Sequence, residues 1–228
     1  MSNLTVLVVV AHSDDETIGM GGTICRHVSR GDRVFVVSMT DGVGGRTGTV
    51  TDDVEKRKKS AKRASEILGF EWAEAYSFVD NAMDRVSLLE VVKCVEAVKS
   101  SLQPALIYTH SGADLNIDHR VVANAVLTAF RPQPNESWTE IRAFEVASAT
   151  DYGHESTTNS FNPNVFIDVT SEWPKKQEAL TAYCAEMRDY PHSRSMEGIE
   201  NLARYRGNQV GLMMAEAFQV IRRIERRR

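Results

Sequence analysis

The sequence predicts an α/β fold: a Rossmann-like, doubly wound, mostly parallel sheet with helices on both faces. Short apolar, β-branched runs alternate along the chain with longer stretches of helical periodicity. The first run (Val6, Leu7, Val8, Val9, Val10, Ala11) is continuously apolar, as a strand covered on both faces must be. The length, 228 residues, suits one α/β domain over 1–228.

Taken in order, 5–11 reads as a first strand. Its apolar run is too short to span a membrane, and no basic residue precedes it as in a signal peptide. A helix over 18–30 follows. Its Gly19, Gly21 and Gly22 do not complete a dinucleotide fingerprint, because the third glycine position holds Ile24. Close packing of the helix on the sheet is the expected use of these glycines. A strand over 33–39 leads to a glycine-rich stretch, 41–48, too irregular for a regular element. Next come a helix over 52–68, a strand over 73–78 and a helix over 86–101. In that helix Leu88, Leu89, Val92, Val95 and Val98 recur mostly at three- and four-residue steps. A strand over 105–110 precedes a helix over 119–130, with Val122, Val126, Leu127 and Phe130 on its apolar positions. The remainder reads as a strand over 142–148, a polar stretch over 151–163, a strand over 164–169, and helices over 172–189 and 195–225. Right-handed crossovers then order the parallel strands. Both irregular stretches follow strands, so both are expected to rim a site at the carboxyl edge of the sheet.

Composition narrows the function. A net charge of −4 gives no general attraction to nucleic acid. Cys25, Cys94 and Cys184 are odd in number and far apart, which excludes a disulfide framework or a C-x-x-C zinc site. They favour a reducing compartment, hence the cytoplasm. The basic tail (Arg222, Arg223, Arg226, Arg227, Arg228) complements the dipole at a helix end; attraction to an anionic carrier or membrane surface is the alternative.

The chemistry concentrates at the end of the first strand. His12, Asp14, Asp15 and Glu16 place an imidazole and three carboxylates together, where like charge repels unless a cation sits among it. In open α/β sheets, ligands bind outside the carboxyl ends of strands. His12 and Asp15 can face one point from the turn that enters the helix, as zinc ligands do. Asp14 between them could then act as a general base. The plainer reading makes Asp14 or Asp15 a helix cap, which leaves His12 unexplained. Glu16 either orients a ligand or is first-turn charge. A second cluster, with Asp114, Asn116, Asp118 and His119, follows the strand over 105–110 and puts His119 in a first helical turn. The two clusters can converge on one ion.

At these residues the chain resembles the PIG-L/LmbE-like zinc-dependent N-deacetylases. The resemblance rests on Ala11, His12, Ser13, Asp14, Asp15 and Glu16 paired with Asn116, Ile117, Asp118, His119 and Arg120. Weaker matches are Thr40-Asp41-Gly42, Arg57 to Leu68-Gly69, Asp80-Asn81 and Ala215-Glu216-Ala217-Phe218. The resemblance implies one zinc per chain, or another divalent ion, held by His12, Asp15 and His119. It implies Asp14 as general base and Asp118 as a partner that orients a histidine. It also places Arg57 at a substrate-holding position. Ser13 replaces the usual proline of the motif. Asn116 replaces a histidine that in several relatives polarises the amide carbonyl, so Asn116, His110 or His192 is expected to assist there. Asp41, His110 and Arg194 are further candidates for substrate contact.

The implied reaction is hydrolysis of an N-acetyl group from an N-acetylglucosamine-type sugar, free or carrier-linked, releasing acetate. The alternatives are an amidase acting on sugar-thiol conjugates, a two-metal phosphoesterase and a binding module without turnover. Relatives form assemblies, so a homo-oligomer is expected.

Overall fold

The first apolar run forms β1 (Thr5–Val10), and its pleat divides the core in two. Val6, Val8 and Val10 point into one hydrophobic cluster, Leu7 and Val9 into the other. The protein, a computed structural model, is described over residues 3–45, 51–153 and 160–226. Residues 46–48 of the glycine-rich stretch, 154–159 of the polar stretch, and Arg227 and Arg228 lie outside the described residues.

After β1 come α1 (Asp15–Ser29), β2 (Arg33–Thr40), α2 (Thr51–Leu68), β3 (Glu71–Phe78), α3 (Leu88–Leu102), β4 (Leu106–His110) and α4 (Ile117–Ala129). The chain continues through β5 (Glu140–Phe144), β6 (Val165–Asp168), α5 (Trp173–Ala182), α6 (Met196–Asn208) and β7 (Ala215–Arg223). The seven-stranded sheet runs β3-β2-β1-β4-β5-β7-β6. The first five strands are parallel, and β7 is antiparallel to both neighbours. Side chains of α1, α2, α5 and α6 join the Val6 cluster, and those of α3 and α4 join the Leu7 cluster. The fold is therefore α/β and mostly parallel, with helices on both faces. In α3 the burial stripe begins at Val91, so first-turn Leu88 and Leu89 stay exposed.

The expected helix over 195–225 is corrected. It ends at Asn208, and 215–223 is β7. Ala215, Glu216, Ala217 and Gln219 have ordinary helix-forming character, but the gap between β5 and β6 offers backbone pairing on both sides. Gly211, at φ 75°, turns the chain into that gap. The dipole reading of the basic tail falls with the helix: Arg223 sits at a strand end, 3.9 Å from Glu140. The expected helix over 172–189 stops at Ala182, which leaves Cys184 exposed in the following turn.

Helix α1 breaks at Met20 (φ −148°, ψ 24°). Glu216 on β7 accepts from Gly22 N and Thr23 N at 3.0 and 2.6 Å, capping the second half. Lys176 Nζ donates to Ile18 O and to Glu216 Oε1 at 2.8 and 2.7 Å, closing the first half. A Cβ on Gly19 would stand 2.5 Å from Phe144, and one on Gly22 2.7 Å from Val169. Both glycines thus serve close packing on the sheet. No helix among the described residues is long and apolar enough to cross a membrane.

Candidate metal centre

In the order β3-β2-β1-β4-β5, chain direction across the sheet switches between β1 and β4. Helices α1 and α4 leave these neighbouring strands toward opposite faces, which opens a crevice at their carboxyl ends. Both sequence clusters meet there.

The turn after β1 is closed by Asp15, whose Oδ2 accepts from His12 N at 2.9 Å. The same oxygen lies 3.2 Å from His12 Nδ1 and 3.3 Å from His119 Nε2. The two imidazole nitrogens are 3.2 Å apart. All three residues are buried, and His119 reaches the site because α4 starts beside it.

The outer nitrogens of both rings rest on carboxylates. His12 Nε2 is 3.0 Å from Asp80 Oδ1 and 3.2 Å from Asp118 Oδ2. His119 Nδ1 is 3.0 Å from Asp114 Oδ2. In neutral rings those carboxylates hold the N–H outward and leave the inner nitrogens as lone pairs. Two lone pairs and a carboxylate oxygen then face one another, an arrangement only a cation relieves. Four-coordinate zinc with bonds of about 2.0–2.1 Å separates its ligand atoms by about 3.3 Å. The triangle has those edges, so the residues fit a divalent metal.

The electrostatics agree. Burial alone would lower His119, but Asp15 and Asp114 overcome it and raise the ring to about 9. His12 is likewise raised, by Asp15 and by Asp118, against burial. Burial would raise Asp15, but His119 and His12 bring it well below the carboxylate range. Without a metal, protons gather where the cation belongs.

Asp14 is 1% exposed. Its Oδ1 pairs with Arg57 Nη2 at 2.9 Å, and its Oδ2 has no hydrogen-bond partner among the described residues. Arg194 Nη1 stands 3.7 Å from that oxygen. Arg57 is buried: Nε donates to Ser13 Oγ at 3.2 Å, and Nη1 pairs with Glu186 Oε1 at 2.7 Å. Its guanidinium is engaged inside the protein, which ties it to Asp14 rather than to an open face. Arg57 and Asp41 also line a cavity of about 400 Å³ between α2 and the sheet.

The other expected residues separate. Asp118 is fully buried and accepts from Asn81 N at 2.7 Å and Met83 N at 3.0 Å, so it holds His12 and the loop after β3 and does not reach substrate. Asn116 caps α4, its Oδ1 accepting from Asp118 N and His119 N at 2.8 and 3.4 Å. Only its NH₂ group is left for another acceptor, with Asn81 Oδ1 at 3.4 Å. Asp41 Oδ1 accepts from Val43 N and Gly44 N at 3.0 and 2.7 Å, and so shapes the start of the glycine-rich loop.

His110 does not fit a role in substrate contact. It is 1% exposed, its Nε2 accepts from Ala11 N at 2.8 Å, and its ring stacks on His119 at 3.8 Å. Burial and the neighbouring His119 push it down to about 3, so it is neutral. His192 is half-buried, and its Nδ1 accepts from Arg194 N at 3.0 Å. Among the described residues no hydrogen bond or ion pair joins His192 to the metal triangle. Sequence reasoning gave no role to Asp80, Asp114, Thr150 or Glu186. Asp80 and Asp114 had a signal, since each is a carboxylate soon after a strand end.

Comparisons with known proteins identify the family. The family model described as PIG-L, GlcNAc-PI de-N-acetylase, matches residues 7–130. A probable N-acetyl-alpha-D-glucosaminyl L-malate deacetylase 2 of Bacillus anthracis is 27% identical over 188 residues, 79% of this chain and 80% of its own. The 4-oxalmesaconate hydratase of Pseudomonas putida is 30% identical over 196 residues, 77% of this chain and 71% of its own. The solved structure of N,N'-diacetylchitobiose deacetylase from Pyrococcus horikoshii shares the fold, with a TM-score of 0.76 at 22% identity, covering 96% of this chain and 84% of that one. The match spans both metal clusters and the crevice between them, and on that ground the chain belongs to the PIG-L family of N-deacetylases.

Proposed function

We propose that the protein is a zinc-dependent hydrolase that removes the N-acetyl group from an N-acetylglucosamine-type sugar or sugar conjugate. The observation that carries this reading is the triangle of His12, Asp15 and His119, with Asp14, the residue before Asp15, buried and its Oδ2 free of hydrogen bonds among the described residues. Zinc, when held there, would lower the pKa of a bound water toward about 7 and polarise the acetyl carbonyl. Asp14 Oδ2 takes the proton of the attacking water, while Arg57 fixes the other carboxylate oxygen. The Asn116 NH₂ group, with only a 3.4 Å contact to Asn81 Oδ1, donates to the developing oxyanion in this reading. Asp14 or His192 returns a proton to the leaving amine. Asp80 and Asp118 hold His12, and Asp114 holds His119. Arg194, whose side chain is 22% exposed, meets sugar hydroxyls in this reading.

A hydratase reading is favoured by one relative, the Pseudomonas putida protein. Site charge weighs against an organic-acid substrate. Asp14, Asp15, Asp80, Asp114 and Asp118 surround the crevice, whereas the arginines paired with Asp14 are Arg57 and Arg194, and Arg57 is shared with Glu186. Even with a divalent cation the balance suits a neutral amide.

Acetate release across N-acetylated sugars and their conjugates, with and without a chelator, tests the reading. The chelator should abolish release, and Asp14→Asn should lower it about 10²- to 10⁴-fold with metal still bound. Full release by a metal-loaded Asp14→Asn protein would sink the assignment of Asp14. Water addition to an organic acid with no acetate from any sugar would favour the hydratase.

A further inference from the structure

Residues 146–152, which follow β5, carry alternate side chains to three partners, Arg194, Asp114 and His192. Ser148 Oγ accepts from Arg194 Nε at 2.9 Å, the arginine that faces Asp14. Thr150 Oγ1 lies 2.8 Å from Asp114 Oδ2, the oxygen that takes His119 Nδ1. Tyr152, 50% exposed, sets its ring edge toward His192 with centroids 6.2 Å apart.

The direction of the Thr150 bond is fixed. Val146 N donates to Thr150 Oγ1 at 2.8 Å, and an ionised carboxylate only accepts. The hydroxyl proton therefore points at Asp114 Oδ2. Asp114 Oδ1 accepts from Asn116 N at 3.0 Å, so both of its oxygens are held. The turn itself is braced, with Thr150 N and Ala149 N donating to Val146 O at 2.9 and 3.1 Å. Leu115 N donates to Ala149 O at 3.1 Å, which ties the turn to the loop that carries Asp114. Ser148 takes φ 67°, a left-handed conformation that costs a non-glycine residue about 1 kcal/mol or more and persists where the surroundings impose it. Side chains at 148 and 150 thus face different partners from one braced turn.

We propose that Thr150 is a positioning residue of the metal centre: through Asp114 it fixes the His119 ring. The proposal rests on the reading that His12, Asp15 and His119 hold a metal. Asp114 lies five residues before His119 and outside α4, so the backbone between them does not restrain the ring, and its outer hydrogen bond must do so.

Zinc affinity, measured by competition with a chromophoric chelator, tests it without any substrate. Thr150→Val keeps the shape and deletes the hydroxyl, and should weaken binding about tenfold or more. Thr150→Ser restores the hydroxyl and should bind within about twofold of the parent. In a protein already carrying Asp114→Asn, adding Thr150→Val should change little, because the path is already broken. Tyr152→Ala, in the same turn but outside the hydrogen-bond chain, should leave affinity unchanged. Circular dichroism of the metal-free proteins identifies any variant that fails to fold, and Thr150→Ser then carries the comparison. Equal affinity of Thr150→Val and the parent overturns the proposal while leaving the metal site standing. A full tenfold loss on top of Asp114→Asn, or an equal loss in Tyr152→Ala, also overturns it. A parent protein that takes up no zinc overturns both readings.

Discussion

Replacing Arg57 with methionine separates two roles that its sequence position leaves open. If Arg57 holds substrate, its loss raises KM and leaves the fold intact. The structure requires a different outcome. Arg57 is 6% exposed, and it is 2.9 Å from Asp14 and 2.7 Å from Glu186, which are 1% and 5% exposed. Against burial, these two carboxylates hold the guanidinium well above its ordinary range. Its face also lies 5.6 Å from the Tyr183 ring. Methionine fills much of the same space but leaves two buried carboxylates without their cation. Removing one partner of a buried pair costs about 3–5 kcal/mol. Both carboxylates face one guanidinium, so their losses overlap, and the top of that range is expected rather than twice it. Urea unfolding should show a lower midpoint at unchanged slope. Arg57→Lys keeps the charge without the fork and should lose less. Turnover should fall with stability, because Asp14 loses the contact that orients it. A stability loss under about 1 kcal/mol, with only KM raised, would refute the reasoning and return Arg57 to the substrate.

Two further outcomes are expected at other places in the fold. Lys176 and Glu216 are buried, and each bonds across the break in α1. Lys176→Met and Glu216→Ala should each cost about 3–5 kcal/mol, and the double variant clearly less than their sum; additive losses by urea unfolding would count against a coupled pair. At the opposite end of the sheet from the metal centre, burial lowers His27 below its usual value, although Asp32, 2.7 Å from its Nδ1, acts to raise it. The unfolded chain therefore takes up a proton near pH 6.5 that the folded state takes up only at lower pH. Stability from this group is complete above about pH 6.5 and is lost as pH falls below it. Stability measured from pH 7.5 to 5.5 should drop less steeply in His27→Gln than in the parent, and parallel profiles would show that His27 is not the group responsible.

The frame of this fold was legible because its signals are local. A continuous apolar run such as Val6 to Val10 needs cover on both faces wherever it lies, and it became β1. The final strand was not legible, because Ala215 to Gln219 carries helical preferences and becomes a strand through two neighbours distant in sequence. The site divides along the same line. Residue types at a strand end pointed to His12, Asp15 and His119, and the structure brings them together. Arg57 and His110 carry no mark of burial in the sequence. Each looks like a group that could meet substrate, and only packing shows their polar atoms turned inward. Thr150 was illegible for a stronger reason. Its partner Asp114 lies 36 residues away, and a threonine in a polar stretch has many plain explanations.

The separation of the two metal clusters follows from topology. His12 and His119 are 107 residues apart in sequence, yet their ring nitrogens are 3.2 Å apart. The parallel strands β1 and β4 pair directly, so residues just past their carboxyl ends share one edge of the sheet. Their helices depart to opposite faces, so neither helix covers that edge. The side chains that meet at that edge are buried, and a carboxylate placed there needs a partner. Asp80, Asp114 and Asp118 find theirs in the outer nitrogens of the two histidines, and Asp15 finds its partners in the inner ones. Each imidazole is thereby held between an acid and the metal position, and its lone pair is aimed before any ion arrives. Asp14 is the exception: Oδ1 is tied by Arg57, and Oδ2, 3.7 Å from Arg194 Nη1, accepts no hydrogen bond among the described residues. That leftover acceptor capacity, one residue before the Asp15 corner of the triangle, is the ground for the proposal that Asp14 takes the proton from water.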